Sequence, residues 1–231
     1  MEEPSAAESG DHHVERMGGV GAVLSVQLEE AHRAGEEGKS AILVEGVSDQ
    51  RAIEALGRRY GRNLRADGIV IIAMAGATNA RQFLNLLGPR GYDVPLAGLC
   101  DLGEVGLLRH GLEQAGLGSR LSREEMDQLG FHVSVRDLED EMIRALGVSS
   151  VEAVIEAQDE MRSFRSFQNQ PAQRHKSTER QLWRWMGNRK IRYAKPLVDA
   201  LDLERVPRPL HDVVTRFSPA DESPDGITAR P

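Results

Sequence analysis

The stretch that most constrains the fold is 41–49, which reads Ala-Ile-Leu-Val-Glu-Gly-Val-Ser-Asp. An unbroken apolar run that ends in a Glu-Gly turn is typical of a buried strand of a parallel sheet. Ser48 is a good N-cap, and a helical pattern continues over 50–59. The sequence therefore predicts a strand, a tight turn and a helix. Glu45 and Asp49 should then lie at the carboxyl edge of the sheet, where open α/β proteins bind ligands.

Composition narrows the class of protein. A chain of 231 residues with 40% hydrophobic residues can bury the core of one or two domains. No apolar run approaches the ~20 residues that a membrane span needs. The N-terminus lacks the pattern of a signal peptide, so we expect a cytoplasmic protein without membrane contact. The lone Cys100 excludes an internal disulfide and a cysteine-based zinc site.

Strand and helix patterns alternate over the first two-thirds of the chain. The predicted strands are 41–45, 69–74, 95–100 and 131–135. The predicted helices that follow them are 48–60, 78–87, 104–115 and 137–146. A helix over 20–34 precedes them, and a capping box at 122–125 predicts a short additional helix. Such alternation indicates right-handed crossovers, so we expect a Rossmann-like α/β fold with a parallel sheet and helices on both faces.

The sequence divides into four regions. We expect a disordered acidic tail over 1–18, an α/β domain over 19–147, a helical basic extension over 148–217 and a disordered tail over 218–231. A capping box at 149–152 opens the extension. Its predicted helices are 151–161, 178–186, 191–201 and 210–217.

The extension carries a local excess of positive charge, although the net charge of the chain is −7. Ten Lys and Arg residues lie in 162–195, and Glu179 is the only acid among them. This pattern predicts a nucleic-acid-binding surface. The predicted contact residues are Arg184, Arg189, Lys190, Arg192 and Lys195. Trp183 and Trp185, two apart on a helix, should face different ways, and we interpret both as core residues.

Acidic residues follow three of the predicted strands. The candidate metal ligands are Glu45, Asp49, Asp101, Glu104, Asp137 and Glu141. Asp137 and Glu141 are four apart and should share a helix face, whereas Glu139 should point elsewhere. Because like charges repel, carboxylates gathered at one edge indicate a cation, and oxygen ligands suit Mg²⁺ or Mn²⁺ rather than zinc. Two such ions are the arrangement that serves phosphodiester transfer.

These residues resemble the TOPRIM domain, the metal-binding module shared by topoisomerases, bacterial primases and nucleases of the OLD (overcoming lysogenization defect) family. The stretch 43–49 is similar to the first motif and Asp101 to the start of the second. The pair Asp137-x-x-x-Glu141 resembles the additional acidic motif of the OLD version. The resemblance covers about 41–147. It implies a metal-dependent endonuclease acting on nucleic acid, with DNA the expected substrate and Glu45 and Asp101 as catalytic residues.

The chain departs from the family pattern in two ways. The second TOPRIM motif usually reads Asp-x-Asp, but its third position here is Gly103, and Glu104 could supply the missing carboxylate. The ATPase domain of full-length OLD nucleases is not recognisable, so ATP-driven activity would require a partner chain. The resemblance also implies a lysine after the acidic motifs. Lys190 is the first candidate and Lys195 the second, and such a cation would neutralise charge that develops on the phosphate.

Two other functions fit the pattern. The chain could be a TOPRIM-derived regulatory module that binds metal and nucleic acid but has lost turnover through Gly103. A receiver-like signalling domain also gathers acids at strand ends, but the basic helical extension disfavours it. A phosphate-binding P-loop at 35–40 is rejected, because Arg33 occupies a required glycine position and the segment precedes a strand instead of following one.

Overall fold

A computed structural model describes the backbone of residues 11–217 and the side chains of residues 21–217. The tail predicted over 218–231 lies outside the described residues, as does the tail predicted at the N-terminus up to residue 10. Residues 11–18, the rest of the predicted N-terminal tail, belong to helix α1, Asp11–Glu36. This helix begins nine residues before its predicted start at residue 20.

Within residues 11–217, four strands form one parallel sheet. They are β1 Ser40–Val44, β2 Ile69–Ala73, β3 Leu96–Asp101 and β4 Phe131–Ser134. Their order across the sheet is β2-β1-β3-β4. Every strand lies within one residue of its predicted bounds, and the predicted α/β fold with a parallel sheet is confirmed. Because β1 and β3 are neighbours, with Val44 aligned to Leu99, the residues that follow these two strands emerge side by side.

Helices cover both faces of the sheet, as predicted. The helices of the α/β region after α1 are α2 Val47–Arg59, α3 Ala80–Leu87, α4 Val105–Ala115, α5 Arg123–Gln128 and α6 Leu138–Leu146. Alternate residues of β1 enter two different cores. Ala41 and Leu43 pack with α1, α3, α4 and α5, whereas Ile42 and Val44 pack with α2 and α6. None of the helices in the described residues is long and apolar enough to cross a bilayer.

The C-terminal helices add to the second of these cores. They are α7 Val148–Ala157, α8 Met161–Gln168, α9 Thr178–Met186, α10 Lys190–Ala200 and α11 Arg208–Thr215. Trp185 lies between the rings of Phe164 and Tyr193, at centroid distances of 5.4 and 5.5 Å. These aromatic residues belong to one buried cluster with residues of β1 and α2. The basic extension therefore shares a hydrophobic core with the sheet.

Two arginines, one in α2 and one just after it, hold the extension through hydrogen bonds to its backbone carbonyls. Arg59 donates to the carbonyl oxygens of Val198 and Leu201 at the end of α10. Arg62 donates to the carbonyl oxygen of Val214 at 2.8 Å and also to that of Phe217. These guanidinium groups bond to carbonyls in and just after the last turns of the two helices, where intrahelical donors run out. The C-terminal ends of α10 and α11 are thereby held against α2.

Three local predictions were wrong. Gly46, not Ser48, is the N-cap of α2, and Ser48 is buried in its first turn. Helix α7 begins at Val148, because Gly147 adopts a left-handed φ of 74° that ends α6 and starts α7 without a linker, so 149–152 is not a capping box. Helix α8 was not predicted at all. The capping box at 122–125 is confirmed, since Ser122 accepts from the Glu125 backbone amide and Glu125 accepts in return from the Ser122 amide.

Candidate active site

Four acidic side chains gather where β1 and β3 end. Glu45 follows β1, Asp49 lies in the first turn of α2, Asp101 is the last residue of β3, and Glu104 closes the 3-10 turn after it. All four are half-buried. We refer to Glu45, Asp49, Asp101 and Glu104 as the acidic edge. Parallel pairing of β1 with β3 brings the four together, as the positions at the strand ends predicted.

Burial and crowding at the acidic edge raise the pKa of Asp49, Asp101 and Glu104. Burial, followed by the charge of Glu139, raises the pKa of Asp49 to about 7. Burial, followed by the charges of Asp49 and Glu45, raises the pKa of Asp101 to about 8. Both shifts mean that ionising these two acids in the folded protein is unfavourable. A cation between them would lower that cost.

Glu104 is the acid that was proposed to replace the missing aspartate. Burial, followed by a hydrogen bond with Glu45 and the charge of Glu45, raises the pKa of Glu104 to about 7. Its Oε2 atom is buried and has no hydrogen-bond partner among the described residues. A buried carboxylate oxygen without a partner is unfavourable, and cation coordination would satisfy it. The structure thus brings Glu104 to Glu45, as the longer side chain at this position allows.

The turn between β1 and α2 orients Asp49. The Gly46 amide donates to Asp49 Oδ2 at 3.0 Å, which closes the first turn of the helix. The Gly76 amide donates to the backbone carbonyl of Glu45 at 3.0 Å, so the loop after β2 supports the same turn. In that loop Ala75 has a left-handed φ of 58°, a strained conformation for a non-glycine residue. Strained loops of this kind cluster at functional sites.

Lys190 approaches the acidic edge from the helical extension. It is the first residue of α10, and its Nζ atom lies 2.7 Å from Glu139 Oε2 and 3.2 Å from Asp137 Oδ2. Partial burial lowers the pKa of Lys190, but the charges and hydrogen bonds of Glu139 and Asp137 outweigh it, so the pKa lies above the usual value. Lys190 therefore remains protonated beside the carboxylates. Its side chain is still 35% exposed.

Asp137 is fully occupied by hydrogen bonds. Its Oδ1 accepts from the Asp140 amide at 2.8 Å and so caps α6. Its Oδ2 accepts from the Trp183 indole Nε1 at 2.8 Å and from Lys190. The residue predicted as a metal ligand thus serves as an N-cap and as an anchor for the lysine. Trp183, interpreted from sequence as a core residue, packs on the core and also holds Asp137 through its N–H group.

Glu139, and not Glu141, lies beside Lys190, which is the reverse of the prediction. Glu139 is 2% exposed and pairs with Lys190, whereas Glu141 accepts from the Val135 amide at 2.7 Å and pairs with Arg144 at 2.8 Å. The prediction assumed that residue 137 is helical. It is instead an extended cap, with φ −148° and ψ 172°, so the direction of its side chain does not follow the helical repeat. The structure therefore does not bring Glu141 to the acidic edge.

Most of the predicted nucleic-acid contact residues are paired with acids. Arg192 lies 2.6 Å from Glu160, and Lys195 pairs with Asp199. Arg189 lies 3.6 Å from Glu160 and stacks on Trp185 at 4.2 Å. Arg184 is exposed and has no ion pair within residues 21–217. Counting charges along 162–195 missed Glu160 and Asp199, which lie just outside that segment.

The fit of the acidic edge to a divalent cation rests on its oxygens. Carboxylates with raised pKa values and an unpartnered Glu104 Oε2 are a donor set suited to Mg²⁺ or Mn²⁺. Within the described residues, no three His, Cys, Asp or Glu side chains are already arranged as a metal-binding group. Binding would therefore require the carboxylates to rotate toward the ion. Cys100 is no alternative ligand, because it is buried in β3 and burial raises its thiol pKa to about 12.

Comparison with known proteins bears directly on this region. Residues 38–102 match the family model of the overcoming lysogenization defect protein-like TOPRIM domain. The predicted OLD-like TOPRIM domain is confirmed. Its matched segment contains Glu45, Asp49 and Asp101, whereas Glu104 and Lys190 lie beyond it.

About three-quarters of the chain resembles solved C-terminal regions of OLD proteins. The region from Xanthomonas campestris pv. campestris is 23% identical, with a TM-score of 0.60, over 76% of this chain and 90% of that chain. The region from Burkholderia pseudomallei is 22% identical, with a TM-score of 0.58, over 76% of this chain and 94% of that chain. No curated protein matches the chain. Similarity at this identity shows a shared fold.

Proposed function

We propose that this OLD-like TOPRIM protein is a divalent-metal-dependent nuclease that cleaves phosphodiester bonds, with DNA as the expected substrate. The observation that carries the proposal is the meeting of an acidic edge with a half-buried, protonated lysine at the carboxyl end of a parallel sheet. Anionic oxygens suit metal ions, and a fixed cation suits phosphate charge. Packing alone does not account for this set, since unpaired buried carboxylates are unfavourable.

Glu45, Asp49, Asp101 and Glu104 would hold the Mg²⁺ or Mn²⁺ ions. A bound divalent ion would supply Lewis acidity and a more acidic water at the scissile phosphate. Asp137 and Glu139 instead hold Lys190, because their oxygens lie 3.2 and 2.7 Å from its Nζ atom. Glu141 is not included, since its carboxylate is occupied by Val135 and Arg144.

Lys190 would stabilise negative charge rather than act as a base. Its raised pKa keeps the ammonium protonated at neutral pH, and its exposed fraction leaves room for a phosphate oxygen. Asp137 and Glu139 fix the position of this cation before substrate arrives. Preorganised charge of this kind avoids reorganisation during the reaction.

One observation favours a second function, a metal- and nucleic-acid-binding module without turnover. Gly103 carries no side chain at the position of the second TOPRIM aspartate, so ligation there depends on Glu104. Besides burial, the charge of the nearby Glu45 raises the pKa of Glu104, so the two acids compete for the same ion position. If Glu104 completes only one ion site, the chain would bind metal and nucleic acid without cutting.

Cleavage and metal affinity distinguish the two functions. Plasmid and single-stranded DNA are incubated with Mg²⁺ or Mn²⁺ and with wild type, Glu45→Gln, Asp101→Asn or Lys190→Ala. We expect cleavage by wild type and its loss in all three variants, with calorimetric Mn²⁺ binding lost in the first two and retained in Lys190→Ala. Glu141→Gln is the matched control and should keep both properties. Metal binding by a wild type that cuts neither DNA would establish the second function.

A further inference from the structure

The pairing of charges in the extension leaves one group of cations without acids. Arg174, Lys176, Arg180 and Arg184 have no ion pair to any residue within 21–217, whereas Arg165, Arg192 and Lys195 each have one. We call the first four residues the α9 strip. The one acid in the same segment, Glu179, is exposed on α9. Of the five cations of 162–195 without an ion pair in the described residues, Arg162 lies on α8 and the other four lie on α9 and the turn before it.

The α9 strip occupies the solvent face of its helix. Arg180 and Arg184 are four residues apart and therefore lie one above the other on one side. Leu182, Trp185 and Met186 are buried on the opposite side. The amphipathic pattern of α9 thus exposes Arg180 and Arg184 to solvent.

The turn before α9 is fixed to the helix. The buried Gln181 donates from Nε2 to the Gln173 carbonyl oxygen at 2.9 Å. Lys176 donates from Nζ to Gln173 Oε1 at 3.0 Å. Burial, followed by the charges of Arg184 and Arg180, lowers the pKa of Lys176. These cations are therefore close enough to repel each other, which an anion along the strip would relieve.

The α9 strip is continuous with the candidate active site. Trp183 is three residues from Arg180 and on the same side of α9. Its indole donates to Asp137, the residue that holds Lys190. The guanidinium of Arg136 lies 4.5 Å from the centre of the Trp183 ring. Trp183 therefore joins the helix that carries Arg180 and Arg184 directly to the Asp137–Lys190 pair.

We propose that the α9 strip binds the sugar–phosphate backbone of the nucleic acid on one side of the scissile bond. The identity of the ligand rests on the proposed function. A row of arginines suits phosphate because the guanidinium donates two parallel hydrogen bonds to its oxygens. The paired residues of α10 make no such contact, since Glu160 and Asp199 already neutralise them.

Binding is measured without metal, so that cleavage plays no part. Fluorescence anisotropy of a labelled duplex and a labelled single strand is recorded in EDTA over a range of NaCl concentrations. The variant Arg180→Gln/Arg184→Gln is compared with Arg192→Gln/Lys195→Gln, which removes the same charge from paired positions. Arg180→Lys/Arg184→Lys keeps the charge of the strip. Thermal melts verify that all three proteins fold.

We expect the α9 double variant to bind about 30-fold more weakly at about 0.15 M salt, because two phosphate contacts release about two counterions. The slope of log K plotted against log salt concentration should become shallower by about 2. The loss of affinity should be equal for all nucleic-acid sequences. The α10 double variant should bind within about threefold of wild type, and the lysine variant should keep most of the affinity.

The outcomes separate this inference from the proposed function. Equal losses in the α9 and α10 variants, or none in the α9 variant, would overturn the inference even if wild type cleaves DNA. A selective loss in the α9 variant supports it even if wild type cleaves nothing. Binding of acidic-lipid vesicles or of polyglutamate, but not of either nucleic acid, would overturn it in favour of another anionic partner.

Discussion

Asp137 Oδ2 and Lys190 Nζ lie 3.2 Å apart although 53 residues separate them in the sequence. One residue caps the first helix after β4, and the other begins α10 of the extension. Their contact joins the sheet edge to the basic helices at the point where we place the chemistry. The position of the cation therefore depends on how α6, α9 and α10 pack, not on the sheet alone.

Trp183 should act as a positioning residue for this pair. In Trp183→Phe the ring remains but the N–H donor to Asp137 is lost. We expect kcat to fall by up to about tenfold, the equivalent of one hydrogen bond to a charged group, while KM and Mn²⁺ affinity stay near wild type. Steady-state kinetics and calorimetry test this. A fall in melting temperature with unchanged kcat would show that Trp183 is only structural.

Asp101 should destabilise the metal-free protein as pH rises. Its pKa is about 8 in the folded chain and about 4 in an unfolded one, so the folded state binds the proton more tightly. This contribution to stability is complete below about pH 4 and is lost as pH rises through about 8.

Asp101→Asn should therefore be more stable than wild type by about 1–2 kcal/mol at about pH 8 without metal, and the difference should vanish toward acid pH. Mn²⁺ should raise the melting temperature of wild type but not of the variant, because a ligand of the folded state stabilises it by mass action. Chemical denaturation at several pH values measures the first effect, and thermal melts measure the second. A variant less stable than wild type at alkaline pH would contradict the raised pKa.

Gly103→Asp should strengthen metal binding. A Cβ at this position meets no atom within 4 Å, so a side chain can enter without a clash. The added carboxylate would supply the second aspartate of the TOPRIM motif, and we expect tighter Mn²⁺ binding and faster cleavage. Gly103→Asn has the same size without the charge and should change neither property to the same extent. Loss of binding in Gly103→Asp would indicate that the added charge repels Glu104 and is not shared with an ion.

Glu104→Gln and Glu141→Gln should affect different properties, the first metal binding and cleavage and the second stability. Glu104 belongs to the acidic edge, so its substitution should abolish cleavage and weaken Mn²⁺ binding. Glu141 accepts from Val135 and pairs with Arg144, so its substitution should cost about 1–2 kcal/mol of stability and leave metal affinity unchanged. Calorimetry and urea denaturation on both variants separate these roles. Loss of cleavage in Glu141→Gln alone would restore it to the ligand set.

The sheet and the acidic edge were predictable because they depend on local patterns. A strand buried on both faces is a continuous apolar run, and acids that follow such runs must reach the same edge. Glu45 and Asp101 were correctly placed at this edge in this way. The acids of α6 were not, because the direction of Glu139 depends on Asp137 being a cap, and sequence spacing does not distinguish a cap from the first helical residue.

The basic surface was predicted less well because charge neutralisation is a long-range property. Glu160 contacts Arg192, which is 32 residues away, and no pattern along the chain records that contact. Trp183 was missed for a related reason. Its hydrogen bond to Asp137 spans 46 residues and arises from the packing of α6 on α9.

The left-handed Gly147 turn separates the residues of the site in an unusual way. Every carboxylate of the acidic edge, together with Asp137 and Glu139, precedes it, whereas Lys190 and the whole α9 strip follow it. The residues proposed to bind the ions and those proposed to bind the phosphates thus lie in two consecutive segments of the chain. Neither segment alone contains the whole site. Cleavage by a mixture of the two segments, divided at Gly147, would therefore show that they associate.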